Sequence, residues 1–373
     1  MKILIVFAIL TATATAFSQE QSFTIGAIDF FGHAGLDVDR LRAALPLHEG
    51  EKVSPESKEK IVAHVTQAIK RATGREVGDV ALTCCDERGR LLIYIGLRDE
   101  SARQTAYNTA PRGSTRLSPT AIKIYREVEQ ALSNAISKGV LGEDDSQGYA
   151  LSVDPEAHAM QLALHEYATR NAKSVRRVLA STRDVEQRQI AAEILGYAGR
   201  SRQQIRALIR ASHDVDSGVR NNAIRALVVL ARSSPEASAI IPGECFIDLL
   251  NSVIWTDRNK SIALLAVLST ERDARLLACL REQALTSLVE IARWSYAGHA
   301  DNARLMLGRI AGIDEKTLTA MVARREIEPI IKVLTTQKKT SVSSRGPRRG
   351  RRSCPTRKAC NLPADRATGP LRL

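Results

Sequence analysis

A stretch that repeats itself constrains this chain more than any other feature. Asp184, Arg188, Ala191 and Leu195 recur 32 residues later as Asp216, Arg220, Ala223 and Leu227. A period of that size is what one helical hairpin stacked on the next produces. Each hairpin has an apolar face it cannot cover alone, so such units are stable only side by side. Arg220-Asn-Asn-Ala-Ile-Arg-Ala-Leu227 returns as Arg258-Asn-Lys-Ser-Ile-Ala-Leu-Leu265, and Ala191-Ala-Glu-Ile-Leu195-Gly196 is echoed by Ala303-Arg-Leu-Met-Leu307-Gly308. Four or five units are expected over residues 155–337. The first is Pro155–Thr169 with Ala172–Ser181, the second Asp184–Ala211, and the third Asp216–Val253, lengthened near Pro235 and Pro242. Ile190, Ile194, Leu195, Ile205, Leu208 and Ile209 should point inward.

Composition agrees with a helical stack. The chain of 373 residues is 44% hydrophobic and 25% charged, with only 4% aromatics. Its net charge of +13 invites a nucleic-acid reading until the charge is located. Residues 338–373 hold eleven Lys/Arg and one Asp, a net +10, which leaves the first 337 residues at +3. The body therefore gives no electrostatic reason to expect sequence-specific nucleic-acid binding.

The start is of a different kind. Lys2, the apolar run Ile3–Leu10 and the small residues through Ala14-Thr-Ala16 predict a secretory signal over residues 1–18. The run is shorter than the roughly 20 residues a spanning helix needs, so no membrane span is expected after cleavage. An uncleaved anchor is the alternative. The mature chain would begin near Phe17 to Gln19 and work in the periplasm or outside the cell.

Residues 22–98 read as a small α/β domain. Ser22–Phe31 has strand composition, and Asp37 is a helix cap with Leu36 and Leu41 as its staple. A second helix follows Ser54-Pro55, with Ile61, Val65, Ala68, Ile69 and Ala72 on one face and Gly74 at its end. Val80–Cys85 and Leu91–Leu97 form a hairpin around Asp86–Gly89, so the order is β-α-α-β-β. Residues 99–117 are polar and aperiodic, a linker. Residues 118–154 give a capping helix, lined by Ile122, Tyr125, Val128, Leu132 and Ile136, and an acidic turn.

The Asp-x-x-x-Arg, Ala and Leu-rich pattern at Asp184–Gly196 and Asp216–Leu230 resembles HEAT repeats. The resemblance implies a mainly α fold, an α-solenoid of HEAT-like (armadillo-like) hairpins preceded by the α/β domain. It also implies that Asp184, Arg188, Asp216 and Arg220 are structural, bonding between neighbouring units. Within residues 22–98, Ile28-x-Phe30-x-Gly32, then Leu45-x-Leu47-x-x-Gly50, then a hairpin resembles a POTRA domain, which implies binding of partner chains. It stands here as one copy with no membrane barrel downstream.

Both tryptophans fall in one polar constellation. Arg220, Asn221 and Asn222, then Trp255, Asp257, Arg258, Asn259 and Lys260, then Trp294, Tyr296 and His299 lie near successive inter-helix turns. Stacked units would align them along one edge, and aromatics beside Arg and Asn suit a binding hot spot. The alternative is that the tryptophans fill gaps between units while the amides cap helices.

Glu143, Asp144 and Asp145 are the weak metal candidates. Their spacing is not that of a Ca²⁺ loop, and a turn, a helix cap or partners for arginines are the other readings. His158 and His165 are seven apart, too far for a paired helix site, and no nucleophile-elbow, P-loop or dinucleotide motif occurs. Cys84 and Cys85 would face opposite sides of a strand unless it breaks there. Cys245–Cys279 and Cys354–Cys360 are among the possible pairings. The tail, residues 338–373, reads as disordered and basic, or as the product of a shifted reading frame.

These readings converge on a non-catalytic exported scaffold that binds a protein of the cell envelope and requires no cofactor. The alternatives are a small-ligand or cofactor-binding accessory protein or lyase, and polyanion binding through the tail.

Overall fold

The computed structural model describes residues 22–54, 57–98, 105–343 and Cys354. The signal segment, residues 99–104 of the linker, and the tail beyond Ser343 apart from Cys354 lie outside the described residues. The protein is mainly helical, with a mixed four-stranded sheet near its N-terminus. It forms two compact units. One is Ala106–Cys245, and the other joins residues up to Thr105 with Phe246–Cys354. The stack expected over 155–337 is thus shared between two units, and the α/β segment folds together with the last helices.

In the second unit the segment runs β1 (Phe23–Phe31), α1 (Val38–Ala43), β2 (Lys52–Val53), α2 (Lys58–Thr73), β3 (Val77–Thr83) and β4 (Leu91–Leu97). The short β2 is an addition to the expected order. It pairs antiparallel with the start of β1, and the sheet order is β2-β1-β4-β3, with β1 and β4 parallel. Asp37 caps α1 as expected, accepting from the amides of Asp39 and Arg40. One sheet face carries the core of Ile28, Phe30, Ile93 and Ile95 against Leu41, Ile61, Val65 and Ile69.

β3 stops at Thr83, two residues before the expected end. With the strand broken there, Cys84 and Cys85 no longer face opposite sides, and they bond to each other. Cys279 pairs with Cys354, so neither non-adjacent pairing suggested by spacing is formed, and Cys245 is also in a disulfide.

Every residue of β4 is buried because both sheet faces are covered. The second cover comes from α9 (Trp255–Leu268), α11 (Leu285–Ala292) and α12 (Ala297–Ile310); α10 (Ala274–Gln283) lies between the first two in sequence, and α13 (Glu315–Ala323) and α14 (Glu328–Ser343) follow. Glycines allow the close approach. A Cβ at Gly78 would lie 2.7 Å from Val253, and one at Gly96 would lie 2.5 Å from the Phe31 ring. The backbone of α14 stays helical through Ser343, six residues into the segment expected to be disordered.

In the first unit α3 (Pro119–Ser137) leads to a short hairpin, β5 (Glu143–Asp144) with β6 (Leu151–Ser152), then α4 (Pro155–Ser181). α4 is a single helix rather than the expected pair. Nothing breaks it near Thr169, and Asn171 bonds back to the Tyr167 carbonyl within the helix. The hairpin of α5 (Val185–Gly196) and α6 (Arg202–Ala211) follows, then α7 (Ser217–Ser233) and α8 (Pro235–Ala239), with all six residues expected inward buried. Asp184 and Asp216 cap α5 and α7.

The arginines lock the turns. Buried Arg188 donates to both carboxylate oxygens of Asp214 at 2.9 and 3.1 Å, and to the carbonyls of Thr182 and Arg183. Arg220 takes the carbonyls of Asp214 and Val215 in the same way. The inter-helix partner of Arg188 is thus Asp214, whereas Asp216 accepts from Gln189. The expected linker is also ordered from Thr105 onward. It runs across these turns, with the Tyr107 ring 3.9 Å from the Arg220 guanidinium, Asn108 on the His213 carbonyl and Gly113 on the Ser181 carbonyl.

Candidate interaction surface

The polar constellation read from the sequence is divided between the two units; five of its eleven residues are buried, six are half-buried and none is exposed. In the second unit Trp255 and Trp294 are 4% and 1% exposed. They pack on the sheet: Tyr94 of β4 stacks on Trp255 at 5.1 Å and lies 4.8 Å from Trp294, whose indole N–H donates to the Phe30 carbonyl at 3.1 Å. His299 Nδ1 is 2.6 Å from the Tyr94 hydroxyl, and the Tyr296 ring stands edge-on to His299. Asp257 and Arg258 are buried as well, Asp257 accepting from the Ser252 hydroxyl. Asn259 and Lys260 remain half-buried. The reason is geometric. The turn edge that would face solvent in a uniform stack is here the surface on which the chain's own sheet rests.

Glu290 of α11 gathers this junction. Its carboxylate accepts from the amides of Gly32 at 2.7 Å and Ala34 at 3.3 Å, and from Arg258 at 3.0 Å. Arg258 also donates to the Ser252 carbonyl six residues back, the bond that Arg188 and Arg220 make in the first unit. Trp294, Glu49 and Arg42 between them occupy backbone groups of β1 that no strand pairs, including both the N–H and C=O of Ile28, while Glu290 takes the amides just after the strand.

Two buried groups at the junction have displaced protonation. Burial pushes the Asp29 carboxyl up to about 6, against the pull of its bonds from the Ser295 amide and hydroxyl. Burial, helped by the Lys260 charge, lowers His299 to about 4, so it is neutral at pH 7.

In the first unit Arg220 is buried, while Asn221 and Asn222 are half-buried. Asn222 donates to the Gln189 carbonyl of the neighbouring helix at 3.1 Å and accepts from Asn221. The acidic turn is the β5–β6 hairpin. Glu143 pairs with Arg225, Asp145 lies 3.4 Å from Arg232, and Asp144 accepts from the Ser146 amide. The three carboxylates therefore diverge onto separate partners, and no group of three or more His, Cys, Asp and Glu among the described residues could hold a metal ion. His165 stacks on Tyr149 and contacts the Tyr197 carbonyl, while His158 contacts the Ser152 carbonyl. Nearby, Glu129 of α3 is raised to about 7, first by burial and then by the charge of Glu193 on α5.

One surface was not singled out in the sequence. The buried stripe of α3 is Ala121, Val128, Ala131 and Ala135, one position round from the stripe of larger residues expected. Ile136 is left 53% exposed, and Ile122 forms part of an open groove of about 710 Å³. Leu117, Pro119 and Ile122 are its apolar lining, with Arg116, Lys123, Arg126, Glu127, Gln130 and Gln187 around them. Gln187, in the first turn of α5, accepts from the Leu117 amide at 2.7 Å and ties that helix end to the start of α3. A neighbouring groove is lined by Thr109–Arg112 and Arg183. The sequence signal was available: Arg126 follows Ile122 by four residues and Lys123 by three on a helix with more apolar positions than one buried stripe uses, and Arg116 stands just before that helix.

No protein-family model matches the chain, and a search of curated proteins found no significant match. Among the described residues no helix is long and apolar enough to cross a membrane.

Proposed function

We propose that this protein is a non-catalytic binding module that recognises another protein through its helical units. The observation that carries the reading is the open groove on α3, where an apolar floor is bordered by exposed cations, Lys123 and Arg126 on the helix and Arg116 just before it. The leader-like first 18 residues make it an exported protein of the cell envelope. The HEAT-like reading of the helices is supported by the recurrent arginine, which at 188, 220 and 258 donates to the carbonyl six residues back. The POTRA-like reading of the sheet segment adds a partner-binding family; along β1, beyond its short pairing with β2, side chains already occupy the backbone groups that an added strand would need.

A small-ligand role has less support. The enclosed space between α5 and α7, beside Glu193, Tyr197, Asn222 and Arg225, is about 10 Å³, no more than room for a water. The test is site-directed photocrosslinking in an envelope extract of the source organism, with the crosslinker in place of Ile122. One stoichiometric protein adduct, reduced by Arg116→Glu with Arg126→Glu, supports the proposal. Labelling without a dominant adduct, or adducts indifferent to those changes, removes the groove as the site, and the same result with the crosslinker at a second exposed helical position, Leu162, refutes the reading as a whole.

A further inference from the structure

We infer that the groove on α3 takes an acidic linear segment of the partner protein, with an aliphatic side chain on Leu117, Pro119 and Ile122 and carboxylates on Arg116, Lys123 and Arg126. The inference rests on the protein-binding reading above and names the chemistry of the partner.

Length comes first. From Pro119 to Gln130 α3 rises about 16 Å at roughly 1.5 Å per residue, the span of about five extended residues. The groove is thus matched to a short stretch of chain rather than to a folded surface.

Charge decides the sign. Three lining residues are cations, and the one anion, Glu127, lies 3.7 Å from Lys123. Among the described residues neither Arg116 nor Arg126 has an ion-pair partner. Arg112 and Arg183 of the neighbouring groove extend the same sign.

The lining decides between polyanions. No aromatic ring lines either groove, so the bases of a single strand have nothing to stack on. An apolar floor beneath cations instead suits a peptide in which acidic and aliphatic residues alternate, because successive side chains of an extended chain point to opposite sides. Each contact is exposed and therefore individually weak, so affinity depends on the row acting together and falls with salt.

The experiment uses the full chain and a fluorescein-labelled peptide of roughly eight residues alternating glutamate and leucine, the groove's span of about five with a residue or two to spare at each end. Anisotropy should report saturable binding that weakens about tenfold or more in Arg116→Glu with Arg126→Glu, and again when NaCl rises from about 0.05 to 0.5 M. Lys173→Glu, a reversal at an exposed position of α4, should leave it unchanged. Both reversals are at exposed positions, and circular dichroism checks that the fold is kept. Equal binding of the glutamine-for-glutamate peptide, no effect of the double reversal, or preference for an oligo-dT strand or phosphatidylglycerol vesicles overturns the inference. A second crosslinker at Leu162, exposed on α4, separates the two levels. A protein captured there but not at Ile122, with no peptide binding, removes the groove and keeps the protein-binding reading. Capture at neither position removes both.

Discussion

Replacing Glu290 by alanine should destabilise the second unit by about 3–5 kcal/mol, the usual cost of stranding one partner of a buried ion pair. Glu290 and Arg258 have side chains 5% and 3% exposed. Alanine leaves the guanidinium with the Ser252 carbonyl but no anion, and it strips the amides of Gly32 and Ala34 of their acceptor. A loss of that size is a large share of the roughly 5–15 kcal/mol that holds a typical domain together. Glu290→Gln keeps an acceptor and loses the charge, so it should cost less, about 1.5–3 kcal/mol. Replacing the pair together, Glu290→Leu with Arg258→Met, should recover much of the loss because no buried charge remains. Urea unfolding followed by tryptophan fluorescence is the assay. Both tryptophans of the chain lie in this unit beside Tyr94, so the signal reports it separately from the first. A Glu290→Ala cost below about 1 kcal/mol, or a double replacement no more stable than the single one, would refute the claim that this pair joins sheet to helices.

Three further outcomes follow from the same geometry. Asp29 is raised in the folded state, so its contribution to stability is full below pH 4 and lost as pH rises through about 6. Asp29→Asn should therefore gain on the parent protein by about 3 kcal/mol between pH 4 and 7.5 in urea titrations, and a constant difference between the two would contradict the raised carboxyl. His299 is lowered, so its contribution is present above pH 6.5 and lost as pH falls through about 4; His299→Gln should remove a loss of similar size on the acid side, measured as the shift in unfolding midpoint between pH 7 and 3.5. Arg188→Met should cost the first unit about 3–5 kcal/mol by circular dichroism, with Asp214→Asn in the same chain restoring part of it, whereas additive losses would show that the two residues do not act as a pair.

Some of this was legible along the chain. Asp184 and Asp216 announce helix starts because capping is local: an aspartate reaches amides only two or three residues ahead. The apolar run Leu-Leu-Ile-Tyr-Ile-Gly-Leu of β4, with no polar alternation, already signalled a strand covered on both faces, and that signal was missed. It also meant that something besides α1 and α2 must lie on the sheet. Trp255 and Trp294 supply it, and their sequence neighbours Arg258 and Asn259 made a packing surface look like a binding edge. The groove was missed for the converse reason. Period alone cannot say which of two overlapping stripes on α3 the rest of the unit will cover, and the small residues Ala121, Ala131 and Ala135 allowed the closer fit.

Taken alone, the sequence determined the repeat, the helix caps, the inward aliphatics of α5 and α6 and the small sheet-bearing segment, because each depends on residues within a turn or two of one another. Only the tertiary structure decided that the sheet folds with helices more than 150 residues further on, that Arg188 meets Asp214 rather than Asp216, and that Cys279 joins Cys354. Those choices rest on the fit of surfaces distant in the chain. Helical and strand periodicity mark a face as apolar, but they carry no record of which other face will come to cover it.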